Sequence, residues 1–133
     1  MTLEELLYAH VTSYPTVQAY IGQRLYPVTL PQNPTYPAAT YRRVSTNVQY
    51  TRDGDGVGRA RFQVDCYATM YSQIISLANV MEDALEAFTS TMGPNVSRTT
   101  VVNRMDDYEW FLLASGETDV YRIPIDCIVY YVE

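Results

Sequence analysis

The chain has 133 residues, 47% apolar and 18% charged, a balance that fits one globular domain, 1–133, and excludes an intrinsically disordered chain. A formal charge of −6 excludes a general nucleic-acid binder, whose footprint is a basic patch. No apolar run approaches the roughly 20 residues of a membrane-spanning helix. The acidic start Met1-Thr2-Leu3-Glu4-Glu5 has no signal-peptide pattern, so a soluble protein made in a cytoplasm is expected.

Residues 2–13 are predicted to be helical. Thr2 caps them with Glu5 three residues on, the capping-box spacing, and Leu3, Leu6, Leu7 and Val11 form a narrow apolar stripe. Pro15 ends this helix or opens a second short turn with Val17, Tyr20 and Ile21 inward, and Gly22 suits the position just past a helix. Residues 24–27 form a short extended segment. Pro27, Pro31, Pro34 and Pro37 then make a crossing loop near polyproline geometry, which delivers the chain into a strand over 38–49. Residues 52–58, Arg-Asp-Gly-Asp-Gly-Val-Gly, are a charged turn closing a long hairpin.

The second strand is the clearest element. Ala60, Phe62, Val64, Cys66 and Ala68 alternate with Arg59, Arg61, Gln63, Asp65 and Tyr67, the period of a strand with one buried face. The period then changes. Ile74, Leu77, Ala78, Met81, Leu85 and Phe88 fall at helical spacing, with Thr69 as N-cap and an end near Thr91, before Gly93-Pro94. A third strand is expected over 96–105 and a last one over 120–132. Pro124 lacks a ladder donor, which favours an edge position or a bulge. The order helix, strand, strand, helix, strand, strand defines an α+β fold. It is a mainly antiparallel sheet of about four strands with the N-terminal helix and one long central helix on one face.

Catalytic and metal patterns are weak. His10 is the single histidine and has no orienting carboxylate in its pattern, so a helix-edge role is expected. Cys66 and Cys127 lie on buried phases, as reduced thiols unless their strands are neighbours. Asp53-Gly54-Asp55-Gly56 opens like a calcium loop, but the twelfth position, where a glutamate is needed, is Val64. Asp106, Asp107 and Glu109 could serve acid–base or magnesium chemistry; an acidic rim meeting an arginine of a neighbouring subunit is the simpler reading. No zinc or dinucleotide spacing is present, and no cofactor is expected. The nine basic residues are all arginine, and there are 13 tyrosines. Both types favour interfaces, although compositional drift in a GC-rich genome also replaces lysine by arginine.

The leucine-rich helix, Gly22-Gln23-Arg24-Leu25-Tyr26-Pro27, Leu30-Pro31-Gln32 and Tyr36-Pro37-Ala38 together resemble the tail-completion or tail terminator proteins of long-tailed bacteriophages of the siphovirus type. Phe62-Gln63-Val64-Asp65-Cys66-Tyr67-Ala68, Met105-Asp106-Asp107-Tyr108-Glu109 and Tyr121-Arg122-Ile123-Pro124-Ile125-Asp126 extend the resemblance over nearly the whole chain. It implies an α+β virion protein without enzymatic activity or cofactor. Such proteins form a ring, usually a hexamer, on the head-proximal end of the tail tube. The ring ends tube growth and offers a surface to a head–tail connector or head-closure protein. DNA meets it only in transit, and no membrane is involved.

The candidate subunit-interface or lumen residues are Arg52, Asp53, Asp55, Arg59 and Arg61 around the charged turn, and Asp106, Asp107 and Trp110 beyond the third strand. A lumen that passes DNA should be acidic, and Asp53 and Asp55 are expected to line it. Two other readings compete: another neck component, such as a head-closure or adaptor protein, and a small metal-dependent hydrolase using Asp106, Asp107 and Glu109.

Overall fold

The structure, a computed structural model, describes residues 2–32, 34–50, 56–90, 95–105, 109–112 and 119–132, with backbone alone at 49, 50, 56, 109–112 and 119. Helix α1 spans Leu3–Ser13 and α2 Pro15–Ile21. Three strands follow, β1 Leu25–Pro27, β2 Ala38–Tyr50 and β3 Gly56–Ala68. Helix α3 spans Tyr71–Glu86, and β4 Asn95–Arg104, β5 Glu109–Leu112 and β6 Asp119–Val132 complete the order. The sheet runs β1-β2-β3-β6-β4, with β5 also on β6.

The α+β class is as expected, and the four expected strands, β2, β3, β4 and β6, pair antiparallel. The sheet is nevertheless six-stranded and mixed, and there are three helices. Strand β1 pairs parallel with β2, Leu25 opposite Ala39. A parallel pair needs a long crossover, and the proline-rich segment between β1 and β2 supplies it. Arg24 fastens its far end: Ala39 N–H donates to the Arg24 carbonyl at 3.0 Å, and Arg24 Nε donates to the Pro37 carbonyl at 2.9 Å. Pro15 opens α2 as a full helix, with Pro at its first turn where the missing N–H costs nothing. Gly22, at φ 58°, caps it.

One face of the sheet carries the core. Phe62, Val64 and Cys66 of β3 and Ile123, Ile125 and Cys127 of β6 are buried against Ile74, Leu77, Met81 and Leu85 of α3. Each large apolar side chain so buried contributes roughly 1.5–3 kcal/mol. Leu3, Leu6, Leu7 and Val11 of α1 join the same cluster. Thr2 caps α1 as its spacing predicts, its Oγ1 accepting from Glu5 N–H at 3.2 Å.

Three details depart from expectation. Helix α3 is capped by Met70 without a side-chain hydrogen bond, one residue beyond Thr69, and stops at Glu86; Phe88 lies past the last turn yet stays buried. Strand β2 carries an extra residue at Val44, a bulge that breaks its alternation and explains its weak amphipathic pattern. Pro124 sits in the central strand β6, neither at an edge nor in a bulge. Its carbonyl accepts from Met105 N–H at 3.1 Å, so its donor-free nitrogen points to the same side, where β4 ends at Arg104 and β5 begins at Glu109.

Candidate functional site: the open face of the sheet

The helices cover one face of the sheet. On the other face the same alternation that buries Ala60, Phe62 and Val64 projects Arg59, Arg61, Gln63 and Asp65 outward. Strand β6 adds Arg122, Asp126 and Tyr130 in register, since Tyr67 pairs with Arg122, Gln63 with Asp126 and Arg59 with Tyr130. Arg42 comes from β2 opposite Gln63, and Arg98 from β4 opposite Tyr130.

Polar side chains link the strands across this face. Arg42 Nη2 donates to Gln63 Oε1 at 3.1 Å, Gln63 Nε2 donates to Asp65 Oδ1 at 2.9 Å, and Arg122 Nη2 donates to Asp65 Oδ2 at 3.2 Å. Asp65 is only 8% exposed, so these bonds replace the water it has lost. A second pair joins Arg61 Nη2 to Asp126 Oδ2 at 2.9 Å. Arg98 lies over the Tyr130 ring, 4.4 Å from its centroid, within cation–π range. Burial, and next the Asp65 charge, raise the Tyr67 phenol above its usual pKa.

The face is therefore basic in a chain of formal charge −6. Among the residues whose side chains are described, five of the nine arginines lie on it, Arg42, Arg59, Arg61, Arg98 and Arg122, against two aspartates, Asp65 and Asp126, while register brings the Glu109 backbone of β5 beside Arg122. The opposite layer has the reverse sign. Among the described residues α1, α2 and α3 carry Glu4, Glu5, Glu82, Asp83 and Glu86 and no arginine. Two of these are matched from the sheet, Glu4 by Arg43 at 2.9 Å and Glu82 by Arg104 at 3.2 Å.

Of the candidate contact residues, Arg59 and Arg61 stand exposed on this face. Arg52, Asp53, Asp55, Asp106 and Asp107 lie outside the described residues, and at Trp110 only the backbone, in β5, is described. The strands that bracket the two groups are far apart. Val57, next to the start of β3, pairs with Val132, whereas Glu109 pairs with Arg122, ten residues back along β6 or about 33 Å at the strand rise. Sequence reasoning missed Arg42, Arg98, Arg122 and Asp126. Their phase on each strand was the available signal, but β3 neighbours β6 rather than β4, and the bulges at Ser97 and Val102 shift the phase of β4.

The other titratable candidates have structural places. His10 Nε2 donates to the Ala84 carbonyl at 2.7 Å, and its ring packs against Phe88, centroids 5.2 Å apart. It ties α1 to the end of α3. Cys66 and Cys127 are buried free thiols. Their strands are neighbours, but Cys66 faces Ile123 and Cys127 faces Phe62. Burial pushes both thiols well up, Cys127 to about 12. Among the described residues no cluster of three or more His, Cys, Asp or Glu could hold a metal, and no helix is long and apolar enough to cross a membrane.

The class is α+β, a helix-backed sheet with a broad, cross-linked polar face. Family comparison identifies the setting: the family described as tail completion protein gp17 matches residues 5–131, and the chain belongs to it. It is thus a structural protein of the phage tail. Its fold is similar to that of a chain in the virion of a native gene transfer agent particle, with a TM-score of 0.69 and 12% identity over 98% of this chain and 95% of that one. No curated protein matches the chain.

Proposed function

We propose that the protein forms a homo-oligomeric ring, a hexamer, at the head-proximal end of the tail tube. The ring ends tube polymerisation and presents the surface to which a head–tail connector or head-closure protein joins. The observation that carries this reading is the tail-completion family match over residues 5–131. The fold supports it physically. Strand β2 is paired with β1 only through Leu25–Pro27, so among the described residues its outer half from Arg42 is an open edge, as is β4 beyond Val96, where Ser90 bridges it. Open edges and an uncovered sheet face are surfaces that assembly hides. In this ring the segment holding Asp53 and Asp55 borders the lumen, and its negative charge lets DNA pass without sticking.

The test is tube length. Tail tube protein polymerised alone gives tubes of unbounded length. Addition of this protein should arrest growth at one end and leave a stable population of capped tubes. Growth that continues unchanged, with the protein found at the portal instead, would assign it to a different part of the neck.

A further inference from the structure

The two layers of the fold carry opposite and incompletely matched charge. On the open face Arg42, Arg59 and Arg98 have no carboxylate partner among the described residues; Arg42 meets Gln63 and Arg98 meets the Tyr130 ring. On the helix layer Glu5, Asp83 and Glu86 are exposed and form no ion pair among the described residues. Asp83 and Glu86 are also badly placed within their own helix. They occupy the last turn of α3, which contains no basic residue, and so face the negative end of the helix dipole. A carboxylate pair there gains little from its own subunit and much from an arriving cation.

We infer that the open sheet face of one copy seats against the helix layer of the next, with Arg42, Arg59 and Arg98 facing the acidic end of α3. The inference rests on the ring reading and specifies its subunit contact. The two surfaces lie on opposite sides of the domain, so the contact is head-to-tail, the type that closes into a ring when the rotation per subunit permits. Size agrees. Four strands at about 4.8 Å spacing and ten residues at about 3.3 Å rise give roughly 630 Å² of flat face, comparable to the roughly 800 Å² per partner of a standard interface. Arginine suits such a contact better than lysine, because its planar fork is weakly hydrated and binds carboxylates in pairs.

The experiment uses full-length protein, purified tail tubes and electron microscopy of the tube ends. Two double variants are compared with wild type, Arg42→Glu/Arg59→Glu and Asp83→Arg/Glu86→Arg, together with the quadruple variant that carries both. All four positions are exposed, so a circular-dichroism melt should match wild type in each. Each double variant is expected to lower ring occupancy of tube ends at least ten-fold, and the quadruple variant to restore it. Full occupancy by either double variant overturns the inference, as does a quadruple variant that stays ring-free. Tube ends left bare by the wild-type protein would instead defeat the ring reading itself.

Discussion

At the scale of single residues, burial and close approach make definite demands. Gly58 pairs with Tyr131 across β3 and β6, and a Cβ added at Gly58 would stand 2.2 Å from Tyr131 Cζ. Tyr131 is 5% exposed, so its ring has little room to retreat. Gly58→Ala should therefore cost about 1–3 kcal/mol, the usual penalty of overpacking, as a lowered urea midpoint; an unchanged midpoint would show that the ring moves freely. The thiols give a pH signature. Cys66 and Cys127 are held protonated by burial, above their unfolded pKa near 8.5. The folded chain then binds more protons than the unfolded chain at alkaline pH, so the stabilisation is intact below about pH 8.5 and declines above it, by up to about 1.4 kcal/mol per pH unit for each thiol. The urea midpoint should fall between pH 8 and 10.5, and fall less in a Cys66→Val/Cys127→Val variant. Equal slopes would contradict this account.

At the scale of elements, the sheet depends on pairs that cross it. Arg122 is the charged partner of Asp65, whose carboxylate is nearly buried. Arg122→Met leaves that charge uncompensated and should cost about 2–3 kcal/mol, less than removal of one partner from a fully buried pair; chemical denaturation measures it. A loss under about 0.5 kcal/mol would mean that Gln63 alone satisfies Asp65. The long elements were legible because their periods are uniform: β3 and β6 alternate without interruption and α3 keeps its stripe for four turns. The short ones were not. Three residues of β1 and four of β5 carry too little period to read, and β1 finds its place only through the proline-rich crossover to β2. The Val44 bulge is equally silent in sequence, since any residue can be the extra one.

At the scale of the molecule, a chain of formal charge −6 divides into a basic sheet face and acidic helices. The net charge alone argues against a nucleic-acid binder and hides this division. Arg59 and Arg61 were visible as the polar phase of β3, but their company of Arg42, Arg98 and Arg122 required the strand order. The tail-completion family was legible from short motifs because their order and spacing persist along the chain, and the match over residues 5–131 agrees with that reading. The ring is the central claim, and direct imaging of tail tubes isolated with the bound protein tests it most directly. The account predicts one closed six-fold ring at the head-proximal end of each tube, with β-sheet face and helix layer of adjacent subunits in contact. Protein scattered along the tube, or a single unassembled copy at its end, would contradict it.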